Sequence, residues 1–469
     1  MLDTTVIRHF ESVVSGEVIT PSDLKYASAR RVYNAMIDRR PALIVCCASV
    51  SDILASVEMA RLNNLGIAVR GGGHSIAGFG VCDGGLVIDL SQMKGLVVDP
   101  LRRTARAEAG ITWGEFDHET SLHGLATPGG VVSTTGIAGL TLGGGVGWLV
   151  RKYGLSSDNL LSGEVITADG RLLTASPDLN QDLFWGLRGC GANFGIVASF
   201  EFRLHPVSMV LGGMVLYPLD QGRDVLRFYR EFTETAPDEL TVSASLMTAR
   251  DGAPLLALAA CYAGSLQTGE TVMRPLRKFG SPVADLVRPI AYPQMQRLLD
   301  EAFPAGRRNY WKSNYVSALP DELIDILLSH AKSVPSSLSV MLIERYTGAA
   351  ARVPACDTAF PHRLEQYNLH IFSVWEDSAE DEANIHWTRT VWQAAQPFST
   401  GGIYVNFLGD EGERQVRAAF GTNYERLGIL KAKYDPSNIF RSNQNVRPIP
   451  PEAPATLLGS INSSSRGEA

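Results

Sequence analysis

The sequence predicts an α+β protein that folds as more than one unit. Its 469 residues exceed what one ordinary hydrophobic core accommodates. Residues 42–48, 51–65 and 67–70 have the patterns of a strand, a helix and a strand in succession, whereas 164–174 has the pattern of a hairpin. Hydrophobic residues make up 45% and charged residues 19% of the chain, which is the composition of a globular protein.

The first part of the chain is predicted from a series of short elements. Ser51 is expected to cap the first of its helices. Strands follow within 86–110, a helix lies around 112–123, and an alternating strand over 195–204 completes this part. The dipeptide His205-Pro206 comes directly afterwards and indicates a boundary.

The pattern changes beyond this boundary to longer strands and helices with aromatic residues. It predicts a second domain over 207–400, followed by a strand and an amphipathic helix within 402–448. The tail 449–469 is rich in proline, serine and small residues, so we assign it no fold and expect it to be flexible.

Charge and cysteine content exclude several classes of function. The net charge of -7 argues against a partner held through phosphate groups, so we expect no nucleic acid. No apolar stretch approaches ~18 residues and the first residues do not resemble a signal peptide, which favours a cytoplasmic protein without a membrane partner. The six cysteines show no metal-like grouping, and we expect reduced thiols and no metal.

Two glycine-rich segments carry the most specific signal. The segment 126–159 suggests backbone packed closely against something flat or phosphorylated, with ordinary loop flexibility as the alternative. At the end of the strand 67–70 stands the run Arg70-Gly71-Gly72-Gly73-His74-Ser75. Consecutive glycines there free backbone N–H groups to converge on an anion such as a pyrophosphate. A Rossmann fingerprint is excluded, because the loop does not open a helix.

Several motifs in order resemble a known family. They are RGGGHS (70–75), CDGGLVIDLS (82–91), GIAGLTLGGGVGWLVRKYGLSSDNL (136–160), LRGCGANFGIV (187–197), YVNF (404–407) and YDPSNIFRSNQN (434–445). Together they are similar to the berberine bridge enzyme-like flavoproteins of the vanillyl alcohol oxidase superfamily. Within that family the chain looks most like the bacterial 6-hydroxy-D-nicotine oxidase-like branch.

The resemblance implies a division of the chain. It implies an α+β fold with a two-part PCMH-type FAD-binding domain over 1–206 and a substrate-binding domain on an antiparallel sheet over 207–400. Residues 401–448 then return to the FAD-binding domain, and 449–469 form the tail.

The resemblance also implies FAD as the cofactor, with one covalent link. In the family the histidine after the glycine loop bonds to the flavin 8α-methyl group, and His74 occupies that position. Many relatives carry a second link through a cysteine, where this chain has Val132, so we expect a single link. A loop histidine without a covalent bond is the alternative. The resemblance places these residues around FAD: Arg70, Gly71, Gly72, Gly73, His74, Ser75, Gly78, Gly139, Gly143, Gly144, Gly145, Asn159, Val197, Tyr404, Asn406, Asn443 and Asn445.

Catalytic candidates are drawn from strands expected to face the flavin. Asn368 and His370 are two residues apart in a predicted strand and share a face, at positions where relatives place catalytic polar residues. An ordinary histidine pKa near 6.5 suits a base, although a histidine that only hydrogen-bonds substrate or core is equally consistent. Tyr153 and Tyr404 match family tyrosines near the active site. Glu344 and Tyr346 are further pocket candidates, with an ordinary sheet pair as the simpler interpretation.

The function implied is that of an oxidase. It transfers a hydride from a C–O or C–N bond of a small organic substrate to FAD, which O2 reoxidises to give H2O2. A flavin dehydrogenase with poor O2 reactivity and a non-catalytic flavin-fold binding protein are the alternatives. We expect a small-molecule substrate and O2 as partners, and a monomer or homodimer.

Overall fold

The computed structural model describes residues 2–450. Of the predicted tail 449–469, residues 451–469 lie outside the described part of the chain. None of the helices formed by residues 2–450 has the length and apolar character that crossing a membrane requires.

The described residues form strands and helices that alternate irregularly along the chain. The strands are β1 (Glu17–Ile19), β2 (Leu43–Cys46), β3 (Ile67–Arg70), β4 (Leu86–Asp89), β5 (Leu96–Asp99), β6 (Thr104–Glu108), β7 (Leu125–Ala126), β8 (Leu160–Ile166), β9 (Leu172–Ala175), β10 (Ile196–Arg203), β11 (His205–Pro206), β12 (Met209–Pro218), β13 (Leu240–Thr248), β14 (Pro254–Tyr262), β15 (Ala284–Asp285), β16 (Arg288–Ala291), β17 (Arg308–Val316), β18 (Val340–Tyr346) and β19 (Gln366–Trp375). The helices are α1 (Thr4–Val13), α2 (Tyr26–Ala29), α3 (Val50–Leu62), α4 (Trp113–Ser121), α5 (Ile137–Leu142), α6 (Val150–Tyr153), α7 (Gln181–Leu187), α8 (Gly222–Glu234), α9 (Leu266–Lys278), α10 (Tyr292–Gln296), α11 (Asp321–Ala331), α12 (Ala349–Arg352), α13 (Asp381–Ala395), α14 (Glu413–Phe420) and α15 (Tyr424–Tyr434).

The first sheet contains the predicted strand-helix-strand unit. Its order is β1-β2-β4-β3, and both β2 and β3 run parallel to β4. The helix α3 connects β2 to β3, as parallel pairing requires a crossover. Its cap is Ser49, whose hydroxyl accepts from the amide of Asp52. The prediction of Ser51 as the cap is wrong, because Ser49 already satisfies a free amide of the first turn.

A second, antiparallel sheet completes the first part of the chain. Its order is β5-β6-β10-β8-β9. The hairpin predicted over 164–174 is confirmed, and Gly170 in its turn has a φ of 79°, which glycine adopts without strain. On β10, Phe202 packs against Trp113 and Phe116 of α4, so this helix covers one face of the sheet.

The end of the chain returns to these two sheets. Side chains of α15 and of the following segment belong to the same hydrophobic core as β2 and β10. The buried Lys431 is central here, because its ammonium donates to the carboxylate of Asp435 and to the carbonyl oxygens of Asn193 and Phe440. This contact anchors the segment after α15 against the loop that precedes β10.

The largest sheet is antiparallel and lies between residues 209 and 375. Its order is β15-β12-β14-β13-β18-β19-β17, and β16 also pairs with β12. Side chains alternate between the two faces of each strand. On β19, Leu369 and Ile371 join a core formed with helices including α8, α11 and α13, and Asn368 and His370 therefore point away from that core.

Two hydrophobic cores support a division into domains. With the exception of Ala359, the first joins residues from 10–204 and 403–446, whereas the second lies within 211–395. On this basis we propose the boundaries stated above, with 1–206 and 401–448 forming one domain and 207–400 the other.

Candidate cofactor and substrate site

A cavity of about 300 Å³ lies where the glycine-rich segments meet the end of the chain. Its walls come from the glycine loop, residues 70–75, from 130–146 and from 404–444, and Phe303 and Trp311 also line it. Of the residues that the resemblance places around FAD, these line it: Arg70, Gly71, Gly72, Gly73, His74, Ser75, Gly139, Gly143, Tyr404, Asn406 and Asn443.

The glycine loop is held very close to the second glycine-rich segment. A Cβ built on Gly72 would lie 2.3 Å from the amide nitrogen of Gly136, and Gly73 has a φ of 69°. A side chain at position 72 would therefore displace backbone, and a residue other than glycine at position 73 would be strained. Arg70 does not project freely into the cavity, because its guanidinium donates to Asp89 at 2.6 Å and to the carbonyl of Arg31.

His74 stands at the edge of the cavity with hydroxyl partners for both ring nitrogens. Thr134 Oγ1 lies 3.0 Å from Nε2, and Thr135 Oγ1 lies 3.3 Å from Nδ1. The Tyr33 ring stacks on the imidazole at a centroid distance of 4.4 Å. Burial lowers the pKa of His74 to about 4, against a smaller opposing effect of the Asp300 carboxylate. The imidazole is therefore neutral near pH 7 and retains a nucleophilic nitrogen.

Val132, the position at which many relatives have a cysteine, lines the same cavity. The neighbouring Ser133 is held by Asp300, whose carboxylate accepts hydrogen bonds from the Ser133 amide at 2.8 Å and from its hydroxyl at 2.6 Å. Cys190 also lines the cavity. Burial raises the pKa of the Cys190 thiol, so the reactive thiolate is disfavoured.

Six residues from the predicted FAD set do not line the cavity. They are Gly78, Gly144, Gly145, Asn159, Val197 and Asn445. Two of them support the fold instead. Asn159 donates hydrogen bonds to the carbonyls of Tyr153 and Leu155, and Val197 is buried in the core around β10. A sequence motif includes such supporting residues together with those that touch a ligand, and spacing alone does not separate them.

Tyr404 is enclosed at the boundary between cavity and sheet. Its hydroxyl oxygen accepts hydrogen bonds from the amide of Gly145 at 3.1 Å and from Asn406 Nδ2 at 2.9 Å. Burial raises the pKa of this phenol, so it stays protonated near neutral pH. Tyr404 is therefore suited to orienting a ligand rather than to accepting its proton.

His370 and Asn368 occur as expected on one face of β19. His370 Nε2 lies 2.7 Å from the Glu344 carboxylate on the neighbouring β18. Both side-chain polar atoms of Asn368 are buried, and neither has a hydrogen-bond partner in the described part of the chain. Cross-strand pairing places Ser313 and Tyr315 of β17 on the same face. We call these five residues, Ser313, Tyr315, Glu344, Asn368 and His370, the polar sheet face.

Tyr153 occupies a different neighbourhood. Its ring stacks on His205 at 3.8 Å and packs against a cluster that includes Ala259 and Cys261 of β14. The structure thus brings His370 and Asn368 together on the polar sheet face but leaves Tyr153 outside both that face and the cavity lining.

Sequence reasoning missed the aromatic wall of the cavity. Trp311 packs against Phe303, Phe372 and Phe407 with centroid distances of 4.5 to 6.4 Å. In the sequence Trp311 is one of many aromatic residues of the second domain. Only the register that pairs it with Phe372 on β19 shows that it belongs to this wall.

Comparison with known proteins accounts for this geometry. Residues 41–176 match the FAD binding domain family, and 403–447 match the berberine and berberine-like family. An FAD-linked oxidoreductase of Dictyostelium discoideum is 32% identical over 453 residues, which cover 95% of this chain and 98% of that protein. The chain belongs to the berberine bridge enzyme-like FAD-linked oxidoreductases. The family and the α+β fold predicted from the motifs are thereby confirmed, and the protein is an enzyme.

Two further comparisons agree with this assignment. The (R)-6-hydroxynicotine oxidase of Paenarthrobacter nicotinovorans is 29% identical, with 93% of this chain and 97% of that protein covered. The crystal structure of 6-hydroxy-D-nicotine oxidase from Arthrobacter nicotinovorans superimposes with a TM-score of 0.88 at 28% identity, covering 96% of this chain and 100% of that chain.

The residues around the cavity fit the FAD that this family carries. A Cβ built on Gly139 or Gly191 would meet no protein atom within 4 Å, so both backbones border open space. A Cβ on Gly143 would lie 1.9 Å from Asn406 Oδ1, so a side chain there would displace the Asn406 amide group. The buried Oδ1 atom of Asn443, which lines the cavity, has no hydrogen-bond partner within residues 2–450 and is free for a ligand. Such a cradle of backbone and polar atoms suits a flat, phosphorylated cofactor.

Proposed function

We propose that this oxidoreductase is an oxidase with one covalent link to FAD, through His74. It removes a hydride from a C–O or C–N bond of a small organic substrate, and O2 reoxidises the cofactor to give H2O2. The neutral, partly buried imidazole of His74 at the edge of the cavity is the observation that carries this proposal. A protonated imidazole has no free nitrogen lone pair with which to form the link.

The single link is supported by two other residues of the cavity lining. Val132 offers no nucleophile at the position where many relatives have a cysteine. Cys190 is buried, and its raised pKa keeps the thiol protonated. His74 is then the nucleophile best suited to hold the cofactor covalently.

Bound FAD supplies the two-electron acceptor. The protein residues have three tasks around it. The glycine loop and Gly139 offer backbone close to the cofactor, while the wall of Trp311, Phe303 and Phe407 excludes water from the reacting end. The polar sheet face supplies groups that bind the substrate and receive the proton of its hydroxyl or amine.

The relatives suggest where to begin a substrate search. One of them is named for (R)-6-hydroxynicotine, an amine. We propose a panel of 6-hydroxynicotine enantiomers, benzylamine, benzyl alcohol and glucose, because pocket shape in the second domain selects the substrate.

The covalent link is tested by acid precipitation of the purified protein. Flavin colour is expected to stay in the pellet for the wild type, and His74→Ala is expected to release it to the supernatant while still binding FAD through the glycine loop. His362→Ala is a matched control, since burial also lowers the pKa of His362 to about 4 but this histidine lies outside the cavity lining. Release of all the flavin from the wild type would contradict the proposed link.

The oxidase reaction is tested separately. Anaerobic mixing with the panel is expected to bleach the flavin absorbance for at least one compound, and mixing the bleached protein with O2 is expected to restore it within seconds with one H2O2 per turnover. Bleaching followed by reoxidation over many minutes would assign a dehydrogenase instead. A protein that retains its flavin but is bleached by no member of the panel would contradict the proposed substrate chemistry.

A further inference from the structure

Glu344 and His370 of the polar sheet face differ in accessibility. The His370 side chain is 0% exposed, whereas the Glu344 side chain is 20% exposed. His370 is enclosed by two aromatic rings, with Phe372 nearly parallel at 5.3 Å and Phe407 nearly perpendicular at 4.5 Å. Its Nε2 faces the Glu344 carboxylate and its Nδ1 is buried without a partner. A substrate therefore reaches His370 only if this packing opens.

Glu344 lies in a strip of the sheet that is not fully covered. Along β18 the alternate side chains Val340 and Leu342 are half-buried, as is Ser245 on the adjoining β13. All of them share the face of Glu344, because side chains alternate along a strand and pair across neighbouring strands. The carboxylate is thus the accessible end of the Glu344–His370 pair.

Among residues 2–450, no lysine or arginine forms an ion pair with this carboxylate. Within residues 2–450 the ion-pair partner of Glu344 is His370, which carries charge only when protonated. The next residue, Arg345, points to the opposite face, where it donates to Tyr367 and to the carbonyl of Arg230. With a neutral imidazole the pair has a net charge of −1, and it faces whatever molecule enters the strip.

We propose that Glu344 is the catalytic base and that His370 is a positioning residue behind it. This deepens the proposed function and rests on it. The free carboxylate oxygen takes the proton of the substrate O–H or N–H, and the electron pair of that bond forms the C=O or C=N double bond as the hydride leaves carbon for FAD. The His370 Nε2–H group holds the second carboxylate oxygen and so orients the base.

Three other titratable groups face this pair. They are the phenols of Tyr315, Tyr346 and Tyr404, and burial raises the pKa of each of them. All three phenols are therefore uncharged at pH 8.5 and add no charge to the site.

The first experiment separates base from positioning residue by the rate of anaerobic flavin reduction with the best compound of the panel. Glu344→Gln is expected to lower this rate about 100-fold or more. His370→Leu is expected to lower it about 10-fold, and His370→Gln, which keeps an N–H donor for the carboxylate, to remain within about threefold of the wild type. Glu301→Gln is the matched control, because Glu301 is an exposed partner of Arg250.

The second experiment needs no turnover. Benzoate and benzyltrimethylammonium are titrated at pH 8.5, and binding is followed by the change in flavin visible absorbance. The wild type is expected to bind the cation in preference to the anion, and Glu344→Gln to shift that ratio at least about tenfold toward benzoate, as removal of a nearby charge predicts. Retained flavin content and an unchanged melting temperature show that the variants are folded.

The outcomes distinguish this proposal from the proposed function. If the wild type is bleached but Glu344→Gln keeps its rate, or His370→Gln falls as far as His370→Leu, the assignment of the base is overturned and the oxidase stands. If no compound bleaches the wild type, the proposed substrate chemistry fails. The titrations with benzoate and benzyltrimethylammonium then still test whether Glu344 faces the bound molecule. Equal ion selectivity in wild type and Glu344→Gln overturns the proposal.

Discussion

The glycine loop and the polar sheet face are built in different ways. At the glycine loop, neighbours in sequence act mainly through backbone, and the approach of Gly72 to Gly136 leaves no room for a side chain. On the polar sheet face, residues from β17, β18 and β19 act through side chains, and those of Asn368 have no protein partners.

Under the proposed function, this difference reflects two kinds of ligand. The cofactor is constant within the family, so a rigid surface with one shape suffices to bind it. A substrate varies between relatives, and a sheet accepts different side chains without a change in backbone. Unpaired buried polar atoms on the sheet are costly unless a ligand satisfies them, which favours a polar substrate group there.

The largest expected effect tests the rigidity of the glycine loop. Gly72→Ala places a Cβ against the backbone of Gly136, so we expect little holoprotein and a loss of stability of about 3 kcal/mol or more. Gly139→Ala is the matched control, because its Cβ meets no protein atom and should weaken FAD binding at unchanged apoprotein stability. Flavin content and thermal unfolding measure both effects, and a fully flavin-loaded Gly72→Ala would refute the tight approach.

A second prediction concerns how His74 is oriented. Replacing Thr134 and Thr135 together by valine removes the hydroxyl partners of both ring nitrogens. We expect covalent attachment of FAD to slow about 10-fold, the low end of the usual effect of a missing orienting group in metal and catalytic sites. The measurement is the amount of flavin that stays in the acid-precipitated pellet at successive times after FAD is added to the apoprotein. Thr141→Val, a buried threonine without a hydrogen-bond partner, serves as control and should attach FAD at the wild-type rate.

The two candidate tyrosines are expected to differ in stability. Tyr404→Phe leaves the donors of Gly145 and Asn406 without their acceptor, which should cost about 1–3 kcal/mol in free energy of unfolding. Tyr153 contributes its ring to the stack on His205, and Tyr153→Phe keeps that ring, so we expect a change within about 0.5 kcal/mol. Denaturant titrations of the two variants provide the comparison, and equal losses would contradict it.

The smallest expected effect is an absence of pH dependence. Because the folded pKa of His74 is about 4, its imidazole stays neutral down to pH values well below the ordinary histidine pKa of about 6.5. The rate of covalent FAD attachment at pH 5.5 is then expected to be within about twofold of that at pH 7.5, whereas an ordinary histidine would be only about one-tenth neutral at pH 5.5. A tenfold fall at pH 5.5 would show that His74 titrates as if exposed to water.

Local patterns predicted the cofactor end of the molecule well. The glycine run after β3, the hairpin and the strand-helix-strand unit depend on residues close in sequence, and all three appear in the structure. The error in the helix cap, Ser49 instead of Ser51, is a local competition between two serines that spacing does not resolve. Asn159 and Val197 were grouped with the cavity residues because a sequence motif contains residues that support the fold as well as residues that border the cavity.

The substrate end was predicted only as a set of strands. Alternation alone placed Asn368 and His370 on one face, but the partner of His370 lies 26 residues earlier, on another strand. The accessibility of that partner depends on how Phe372 and Phe407 pack around the imidazole. No pattern in the sequence indicates a contact between segments that come together only when the sheet forms.

The sequence by itself determined the family, the α+β fold class and the position of His74 after the glycine loop, because these follow from contiguous motifs and from hydrophobic periodicity. The tertiary structure decided which of the motif residues border the cavity, that His74 is neutral, and that Glu344 rather than His370 is the accessible member of their pair. Burial, register and cross-strand distance are properties of the assembled sheets, and they determine which of the available side chains meets a substrate.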